Sequence, residues 1–406
     1  MHLIFFFPYK NISGVPVLFS TLAEYIATNY LDIHVSIVDY EDGVISKLIK
    51  NERINRIVFN DGVKVNIPED GILILQSILP FSVRPEMQIT DEQKMFFWNL
   101  HPNCLILNNI TKINKIDKFI NSLRVGTKLK LKKFIQICLH HNSLVFMDDS
   151  NSTNTFAYYG INEFPFFLQI CGKSIPDSQN FRTEFDLQNL KFSYIGRIVD
   201  FKFYPLKRTL IALNNLAREN KISKKITFHI IGEGDKLDRL KDFVLKSINY
   251  IEVCFEGVLN NDRIQDFLLD KKININFAMG TSVLDSLQIG IPTILLNYSY
   301  EELLSYPKYY FAHEEKFYSL GRELQPDDMN PENLNSLLSA INEYIEAPKK
   351  YSDESIAYYR QFSVKTVSGK LINYLNKSSL KYDEVKPFFT KSLIRKIYNW
   401  RKYKLG

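Results

Sequence analysis

Short apolar runs alternate with amphipathic segments along most of this 406-residue chain. In the first half, apolar runs of strand length occur at Leu3–Phe7, His34–Val38, Ile72–Gln76, Cys104–Leu107 and Leu144–Met147. A helical period over Val17–Tyr30 follows the first of them. This alternation of strand and helix predicts a mostly parallel, doubly wound sheet.

A second alternating set begins near residue 190. Strands are predicted at Phe192–Tyr194, Ile226–Ile231, Ile251–Phe255, Ile273–Phe277 and Thr293–Leu296, with helices at Leu206–Arg218, Asp235–Leu245 and Ile264–Leu269. The stretch 160–190 is less regular and is expected to connect two domains. We therefore predict an α/β protein with two Rossmann-like domains, residues 1–180 and 190–345, and a helical C-terminal extension over 346–406.

The composition fits a soluble protein, with 45% hydrophobic and 14% aromatic residues. No run approaches the ~18 apolar residues of a membrane span. Met1–Phe7 lacks the basic segment of a signal peptide, and the four cysteines are scattered without a CxxC motif. Buried free thiols and a cytoplasmic location are therefore expected.

The net charge of +6 resides in the last 26 residues, since 381–406 carry eight Lys/Arg and two acids. The neutral remainder argues against a nucleic-acid-binding protein. Apolar side chains recur in the tail at helical spacing, at Phe389, Leu393, Ile394, Ile397 and Trp400. A basic amphipathic helix over about 388–403 predicts contact of 386–406 with an anionic membrane surface, at the inner face of the plasma membrane. The alternative is that this face packs on the body of the protein.

Three elements suited to phosphate binding stand at predicted strand ends. Gly196-Arg197 follows one strand, with Lys202 five residues further, and Gly232-Glu233-Gly234 follows the next. Arginine grips an oxyanion with a planar fork and lysine adds a point charge. Singly, these signals are also compatible with solvated surface cations and plain turns.

The third element is Gly280-Thr281-Ser282, which turns from a strand into a helix. Free backbone N–H groups at a helix start attract a phosphate. The alternative interpretation is a capping box, Ser282-x-x-Asp285, in front of an ordinary core helix.

Together, order and spacing resemble the nucleotide-sugar-binding domain of GT-B glycosyltransferases, specifically the family 4-like group typified by bacterial surface polysaccharide enzymes. The matching residues are Gly196, Arg197, Lys202, Gly232, Gly234, Gly257, Gly280, Ser282, Asp285, Gly290 and Pro292. The resemblance covers about residues 190–298 well. It covers the N-terminal half loosely, through the first strand, Gly14 and the helix after it.

The resemblance implies a GT-B fold and transfer of a sugar from a UDP-, GDP- or dTDP-linked donor to a glycan or lipid-linked glycan. It implies that Arg197 and Lys202 neutralise the departing diphosphate, without a metal or other cofactor. The backbone of Gly280, Thr281 and Ser282 would hold a phosphate, and Asp285 the ribose hydroxyls. The glycines at 14, 196, 232, 234 and 257 complete the expected binding set.

Two residues of the expected donor site differ from the family pattern, and two other groups of residues offer alternative sites. The family has two glutamates in this motif; Asp285 replaces the second, and the first falls on Phe277. Asp148-Asp149 is the nearest candidate for a metal site, with a helix cap as the favoured alternative. Lys207-Arg208 is a rival to Lys202, because both flank the same helix start.

Acceptor contacts are expected from the N-terminal half. Gly14 lets a substrate approach the backbone, and Trp98 with His101 is suited to a sugar face and a hydroxyl, or to an aromatic packing cluster. If the reaction inverts, the candidate general bases are His101, Asp39 and Glu41, in that order. A sugar-nucleotide epimerase of the same architecture and a non-catalytic partner subunit remain as alternatives.

Overall fold

The computed structural model describes residues 1–77, 83–106, 117–175, 181, 184–303, 308–324 and 336–389, without the side chains of 117–125 and 261. The chain divides into two compact units. The first contains Met1–Lys173 and the chain from Val364 onwards, and the second is Ser174–Ser363.

The first unit is built on a six-stranded parallel sheet. Its strands and those of a small two-stranded ladder are β1 (His2–Phe6), β2 (His34–Asp39), β3 (Ile54–Val58), β4 (Val65–Asn66), β5 (Gly71–Gln76), β6 (Met87–Gln88), β7 (Lys94–Asn99) and β8 (Leu144–Phe146). The large sheet has the order β3-β2-β1-β5-β7-β8, and β4 pairs with β6. The chain winds outwards in both directions from β1, as expected for a doubly wound sheet.

Helices cover both faces of this sheet. They are α1 (Gly14–Asn29), α2 (Val44–Leu48), α3 (Asp117–His140) and α4 (Asp149–Tyr159). Side chains of β1 alternate between the faces, since strand residues point to opposite sides in turn. Leu3 and Phe5 pack in the layer that contains α1, whereas Ile4 and Phe6 pack in the layer that contains α3.

The second unit repeats the plan with five parallel strands. They are β9 (Asn189–Ile195), β10 (Lys225–Ile231), β11 (Glu252–Gly257), β12 (Ile275–Ala278) and β13 (Thr293–Leu295). Its helices are α5 (Asp200–Arg218), α6 (Leu237–Ser247), α7 (Asn261–Asp270), α8 (Ser282–Leu287), α9 (Ser336–Glu346) and α10 (Pro348–Phe362). The order β11-β10-β9-β12-β13 reverses direction between β9 and β12. Ligands of open α/β sheets bind at the carboxyl ends of the strands at such a switch point.

The helical segment predicted over 346–406 is shared between the units. Helix α10 belongs to the second unit, whereas α11 (Val364–Lys377) and α12 (Tyr382–Val385) return to the first. Helix α11 lies in the same core layer as α1. No helix in the described ranges combines the length and apolar character that crossing a membrane requires.

The start of the basic tail packs on the first unit. Val385 and Phe389 are buried, and the Phe389 ring lies 6.4 Å from that of Phe97 and 5.6 Å from that of Phe134, between centroids. A 3₁₀ turn, Lys386–Phe388, ends where the predicted amphipathic helix begins, at about residue 388. The rest of the predicted amphipathic helix, 390–406, lies outside the described residues.

The strand predicted at Cys104–Leu107 is wrong over its described part. Residues 104–106 form a turn, in which Cys104 N–H donates to the His101 carbonyl over 3.0 Å. The strand in this part of the sheet is β7 instead, and its central residues Met95–Trp98 are fully buried. The preceding Pro102 has no N–H with which to extend a ladder. Trp98 therefore lies in a strand, where its indole N–H donates to Leu168 O over 2.8 Å.

Candidate active site

Four loops follow neighbouring strands at the carboxyl edge of the second sheet. In spatial order they begin at Val258 after β11, Gly232 after β10, Gly196 after β9 and Met279 after β12. The loops with Gly196-Arg197 and Gly280-Thr281-Ser282 thus flank the switch point. Parallel strands end at one edge, so the topology brings together elements that are far apart in sequence.

The loop of Arg197 is fixed by backbone and side-chain hydrogen bonds. Gly196 N–H donates to Ile231 O over 3.0 Å, and Ile198 N–H donates to Glu233 O over 2.8 Å. The buried Tyr194 hydroxyl donates to Arg197 O over 3.2 Å. The Arg197 side chain is exposed. This arrangement anchors the main chain of Arg197 and leaves its guanidinium available to an anion.

Lys202 lies in the first turn of α5, beside the same loop. A Cβ atom at Gly196 would lie 3.4 Å from Lys202 Nζ, so the ammonium approaches the glycine backbone closely. Burial, and next the Arg197 charge, lower the pKa of Lys202 to about 8. Within the described part of the chain it forms no ion pair with a carboxylate. Among the described residues, these two neighbouring cations, one of them partly desolvated, thus have no carboxylate partner.

The glycines of the second loop are required by close backbone packing. Gly232 and Gly234 have φ of +139° and +157°. A Cβ at Gly232 would overlap Gly196 O, and one at Gly234 would overlap Ile198 O. The Gly-x-Gly pair therefore lets the loops after β9 and β10 run side by side. In the structure this pair packs against the Arg197 loop, whereas direct contact with a donor stays a prediction.

Gly257 continues this packing by one strand. Its carbonyl accepts the Gly232 N–H over 2.7 Å, and its φ of +70° lies in the left-handed region that favours glycine. No atom of the described residues lies within 4 Å of a Cβ built there, so the requirement is conformational rather than steric.

At the Gly280 loop, the capping-box interpretation is wrong. Thr281 occupies the N-cap, Ser282 is the first helical residue, and no side chain among the described residues caps the helix. Gly280 has φ of +70°, and its N–H donates to Leu320 O over 2.6 Å. The N–H groups of Thr281 and Ser282 meet no acceptor in the described part of the chain. They are donors of the kind that a phosphate oxygen accepts.

Asp285 lies one turn into α8 and is partly buried. Its backbone carbonyl accepts the side-chain amide of Gln265 over 3.2 Å, and the same amide donates to Gln288 over 2.8 Å. These contacts position the helix turn on which the carboxylate stands. The ribose contact of Asp285 stays a prediction.

The rival residues have other partners. Lys207 Nζ lies 2.5 Å from Glu302 Oε1, so its charge is neutralised locally. Asp148 is the N-cap of α4 and accepts from Asn151 N–H over 2.9 Å. Asp148 thus has the helix-cap role that was the favoured alternative.

The candidates in the first unit occupy two loops. Gly14 begins α1 just after the loop from β1, and in the described part of the chain no atom lies within 4 Å of a Cβ built on it. His101 keeps an exposed edge, while the protein around the ring desolvates it and lowers its pKa. Its Nδ1 accepts from Asn103 N–H over 3.1 Å. The neutral ring then carries its proton on Nε2, which suits a hydrogen-bond donor better than a general base.

The two other base candidates differ in accessibility. The Asp39 carboxylate is buried and accepts backbone N–H groups of Tyr9, Tyr40 and Ser46 over 2.8–3.1 Å. Burial raises its pKa, and these hydrogen bonds oppose the shift. Asp39 therefore holds two loops together. Glu41 is exposed beside it.

Two solved glycosyltransferase structures align with nearly the whole chain. The chain aligns over 93% of its length with 99% of the lipopolysaccharide outer core galactosyltransferase WaaB in its apo form, with a TM-score of 0.54 and 11% identity. It aligns equally far with 98% of a glycosyltransferase from Rickettsia africae ESF-5, with a TM-score of 0.53 and 13% identity. The chain has the GT-B fold. No protein-family model and no curated protein sequence matches it.

One position departs from the GT-B donor site that the sequence resembles. Phe277, where the family pattern has its first glutamate, lies in β12 and is 0% exposed. Its ring packs against those of Phe192, Phe228 and Tyr309 at centroid distances of 5.9, 5.6 and 6.5 Å. A carboxylate here would lie in the apolar core, so this chain does not present one to a donor sugar from position 277.

Sequence reasoning missed Tyr194. The sequence pattern places Tyr194 in a buried strand, as an ordinary core residue. Only its hydroxyl reaches the loop of Arg197. Its position three residues before Arg197 is the one signal that pointed to it.

Proposed function

We propose that this chain is a glycosyltransferase that transfers a sugar from a nucleoside diphosphate sugar to a glycan or lipid-linked glycan. The observation that carries the proposal is the closeness of two cations, Arg197 and the partly buried Lys202, at the switch point of the second sheet. Desolvating an unpaired ammonium is unfavourable, so its retention is expected where it binds an anion.

The chemistry follows from this charge arrangement. When the bond between the sugar and the diphosphate breaks, negative charge builds up on the leaving group. Preorganised cations and N–H dipoles stabilise such charge, typically by a few kcal/mol for one donor. In our proposal Arg197 and Lys202 do this without a metal ion, and Thr281 and Ser282 bind a phosphate through their N–H groups.

For the acceptor, the proposal draws on the resemblance to enzymes of bacterial surface polysaccharides. WaaB, a solved structure with the same fold, is a galactosyltransferase of the lipopolysaccharide outer core. Gly14 and His101 are our candidates for acceptor contacts. We place the protein in the cytoplasm, with the tail 386–406 at the inner face of the plasma membrane.

Donor binding is tested by thermal unfolding of the full chain with a panel of UDP-, GDP- and dTDP-sugars. A donor at 100 times its dissociation constant is expected to add about 2.7 kcal/mol to the free energy of unfolding. The responding donor is then offered with glycan and lipid-linked acceptors, and product is followed by mass spectrometry. Absence of a shift with every donor, together with absence of product, would reject the proposal.

Three lysine and arginine variants test the assigned roles. Arg197→Ala and Lys202→Ala are expected to reduce kcat/KM at least 100-fold, because each removes charge stabilisation of the leaving group. Lys207→Ala serves as the matched control, since its charge is paired with Glu302. Turnover close to wild type in both Arg197→Ala and Lys202→Ala would refute the assignment.

Asp285→Asn tests the proposed ribose contact. In our proposal, loss of this carboxylate is expected to weaken donor binding by more than it lowers Tm, since no side chain among the described residues caps α8. Lost stability with unchanged donor affinity would assign Asp285 a structural role instead.

The buried Phe277 supports a second candidate, a non-catalytic partner subunit that binds a nucleotide sugar. The same panel separates the two functions. Thermal stabilisation by a donor, without product from any acceptor and without donor hydrolysis, would favour the partner subunit.

A further inference from the structure

A second group of chemically reactive side chains lies near the end of β10 and β11. One ligand atom from each of His229, Cys254 and Glu256 lies within 4.8 Å of the other two. His229 Nδ1 and Glu256 Oε1 are 2.7 Å apart. The donor-site assignment uses none of these three residues.

The sheet register creates this group. His229 of β10 pairs directly with Cys254 of the parallel edge strand β11. The register then shifts, because Ile230 pairs with Phe255 and Ile231 with Gly257. Glu256 is thus the extra residue of a β-bulge, a feature that re-aims side chains and is frequent near functional sites. The bulge brings the carboxylate of Glu256 within hydrogen-bond distance of the His229 ring.

The surroundings give the group one enclosed side and one open side. His229 is 5% exposed, and its ring meets that of Phe267 in α7 edge-on at 5.9 Å. Cys254 and Glu256 are partly exposed. A further carboxylate oxygen, Glu252 Oε1, lies 3.9 Å from Cys254 Sγ, while Lys225 Nζ holds the other oxygen of Glu252 at 2.9 Å.

We propose that His229, Cys254 and Glu256 form a zinc-binding site. Imidazole nitrogen, thiolate sulfur and carboxylate oxygen are the three ligand types that Zn²⁺ takes in proteins. Zinc accommodates a mixed set because it has no geometric preference of its own beyond four-fold coordination. Water or Glu252 supplies the fourth ligand. Binding releases the thiol proton of Cys254 to solvent, since the thiolate is the coordinating form.

The site has a structural consequence for the neighbouring loops. Gly257, next to Glu256, accepts the N–H of Gly232, and the Gly232 loop packs on the loop of Arg197. An ion joining β10 to β11 fastens the edge strand at the base of this row of loops. The expected effect is greater order of β11, with the charge of Arg197 and Lys202 unchanged.

Metal binding is tested on the full-length, EDTA-treated protein with Zn²⁺ by calorimetry and with Co²⁺ by absorption. We expect one equivalent to bind and Co²⁺ to show a thiolate charge-transfer band. Cys254→Ser is expected to abolish that band, and His229→Gln and Glu256→Gln to weaken zinc binding at least tenfold. Cys104→Ser is the control, as its thiol lies in the first unit.

Hydrogen exchange gives a second readout that needs neither donor nor acceptor. Zinc is expected to increase protection of the β11 amides in the wild type and to leave them unchanged in Cys254→Ser. Circular dichroism of each metal-free variant verifies folding, and Glu256→Gln keeps the test available if His229→Gln unfolds. Binding of zinc by Cys254→Ser as tightly as by wild type, or a cobalt band that persists in it, would overturn the site.

Discussion

The Tyr194 hydroxyl donates a hydrogen bond to the carbonyl oxygen of Arg197 over 3.2 Å. The ring of Tyr194 is in the core of the second unit, and its tip emerges at the carboxyl end of β9. Burial raises the pKa of the phenol, which keeps it protonated and able to donate. The core thus positions the backbone of a cation that the proposed reaction requires.

Tyr194→Phe removes this hydrogen bond while keeping the ring. We expect a loss of about 1 kcal/mol in the free energy of unfolding and a several-fold fall in kcat/KM, because the Arg197 loop is less well fixed. Tyr309→Phe is a matched control, since that buried hydroxyl donates to Thr209 over 3.3 Å, remote from the loop in sequence. Equal losses of activity in both variants would contradict a specific role for Tyr194.

The lowered pKa of Lys202 predicts how kcat/KM depends on pH. Its pKa of about 8 in the folded protein lies below the ordinary value of 10.5, so the ammonium loses its proton as pH rises through about 8. Only the protonated form attracts a diphosphate. The pH dependence of kcat/KM reports the pKa values of such groups in the free enzyme. We therefore expect kcat/KM to be at its plateau below pH 8 and to decline above it.

Arginine at the same position gives the test. Lys202→Arg is expected to remove the decline near pH 8, because a guanidinium keeps its charge there. Lys207→Arg should leave the decline in place. A profile that falls near pH 8 in Lys202→Arg as it does in the wild type would assign the titration to another group.

Phe277→Glu restores the residue type of the family pattern. Because position 277 faces the core, we expect it to destabilise the protein by about 3–5 kcal/mol, the usual cost of an uncompensated buried charge. Phe277→Leu, which keeps the site apolar, is expected to cost much less. The measurement is urea unfolding of the three proteins. A stable Phe277→Glu with increased turnover would mean that position 277 faces the donor.

The sequence was sufficient for the row of loops at the switch point. Glycines and cations at predicted strand ends imply proximity, because parallel strands end at one edge. The strand prediction Ile226–Ile231 lies within β10, which places Gly232 correctly. The edge strand β3 escaped the pattern, since only Ile54 of its five residues is fully buried.

Features that depend on register could not be predicted. His229 and Glu256 are 27 residues apart, and their contact requires both the pairing of β10 with β11 and the bulge in it. The sequence likewise predicts that Phe277 ends a strand, but not that its ring packs in the core against Phe192 and Phe228. A period-2 pattern leaves such one-residue differences open.

The tail yields the last prediction. Residues 390–406 carry six basic and no acidic side chains, and each basic residue near an anionic surface contributes about 1 kcal/mol. The structure decides where to truncate. Val385 and Phe389 are buried in the first unit, so a chain ending at Lys381 would lose core contacts as well as charge. A chain ending at Phe389 removes the rest of the predicted amphipathic helix and keeps these core contacts.

We expect full-length protein to co-sediment with anionic vesicles at low salt, and the chain ending at Phe389 to remain in the supernatant. High salt should weaken the binding, because it screens exposed charges beyond about 10 Å at 0.1 M. Neutral vesicles control for purely apolar adsorption, and Tm values verify that both proteins fold alike. Equal partitioning of the two proteins on anionic vesicles would mean that the tail is not a membrane anchor. Loss of Tm on truncation would then show that its apolar face packs on the protein itself.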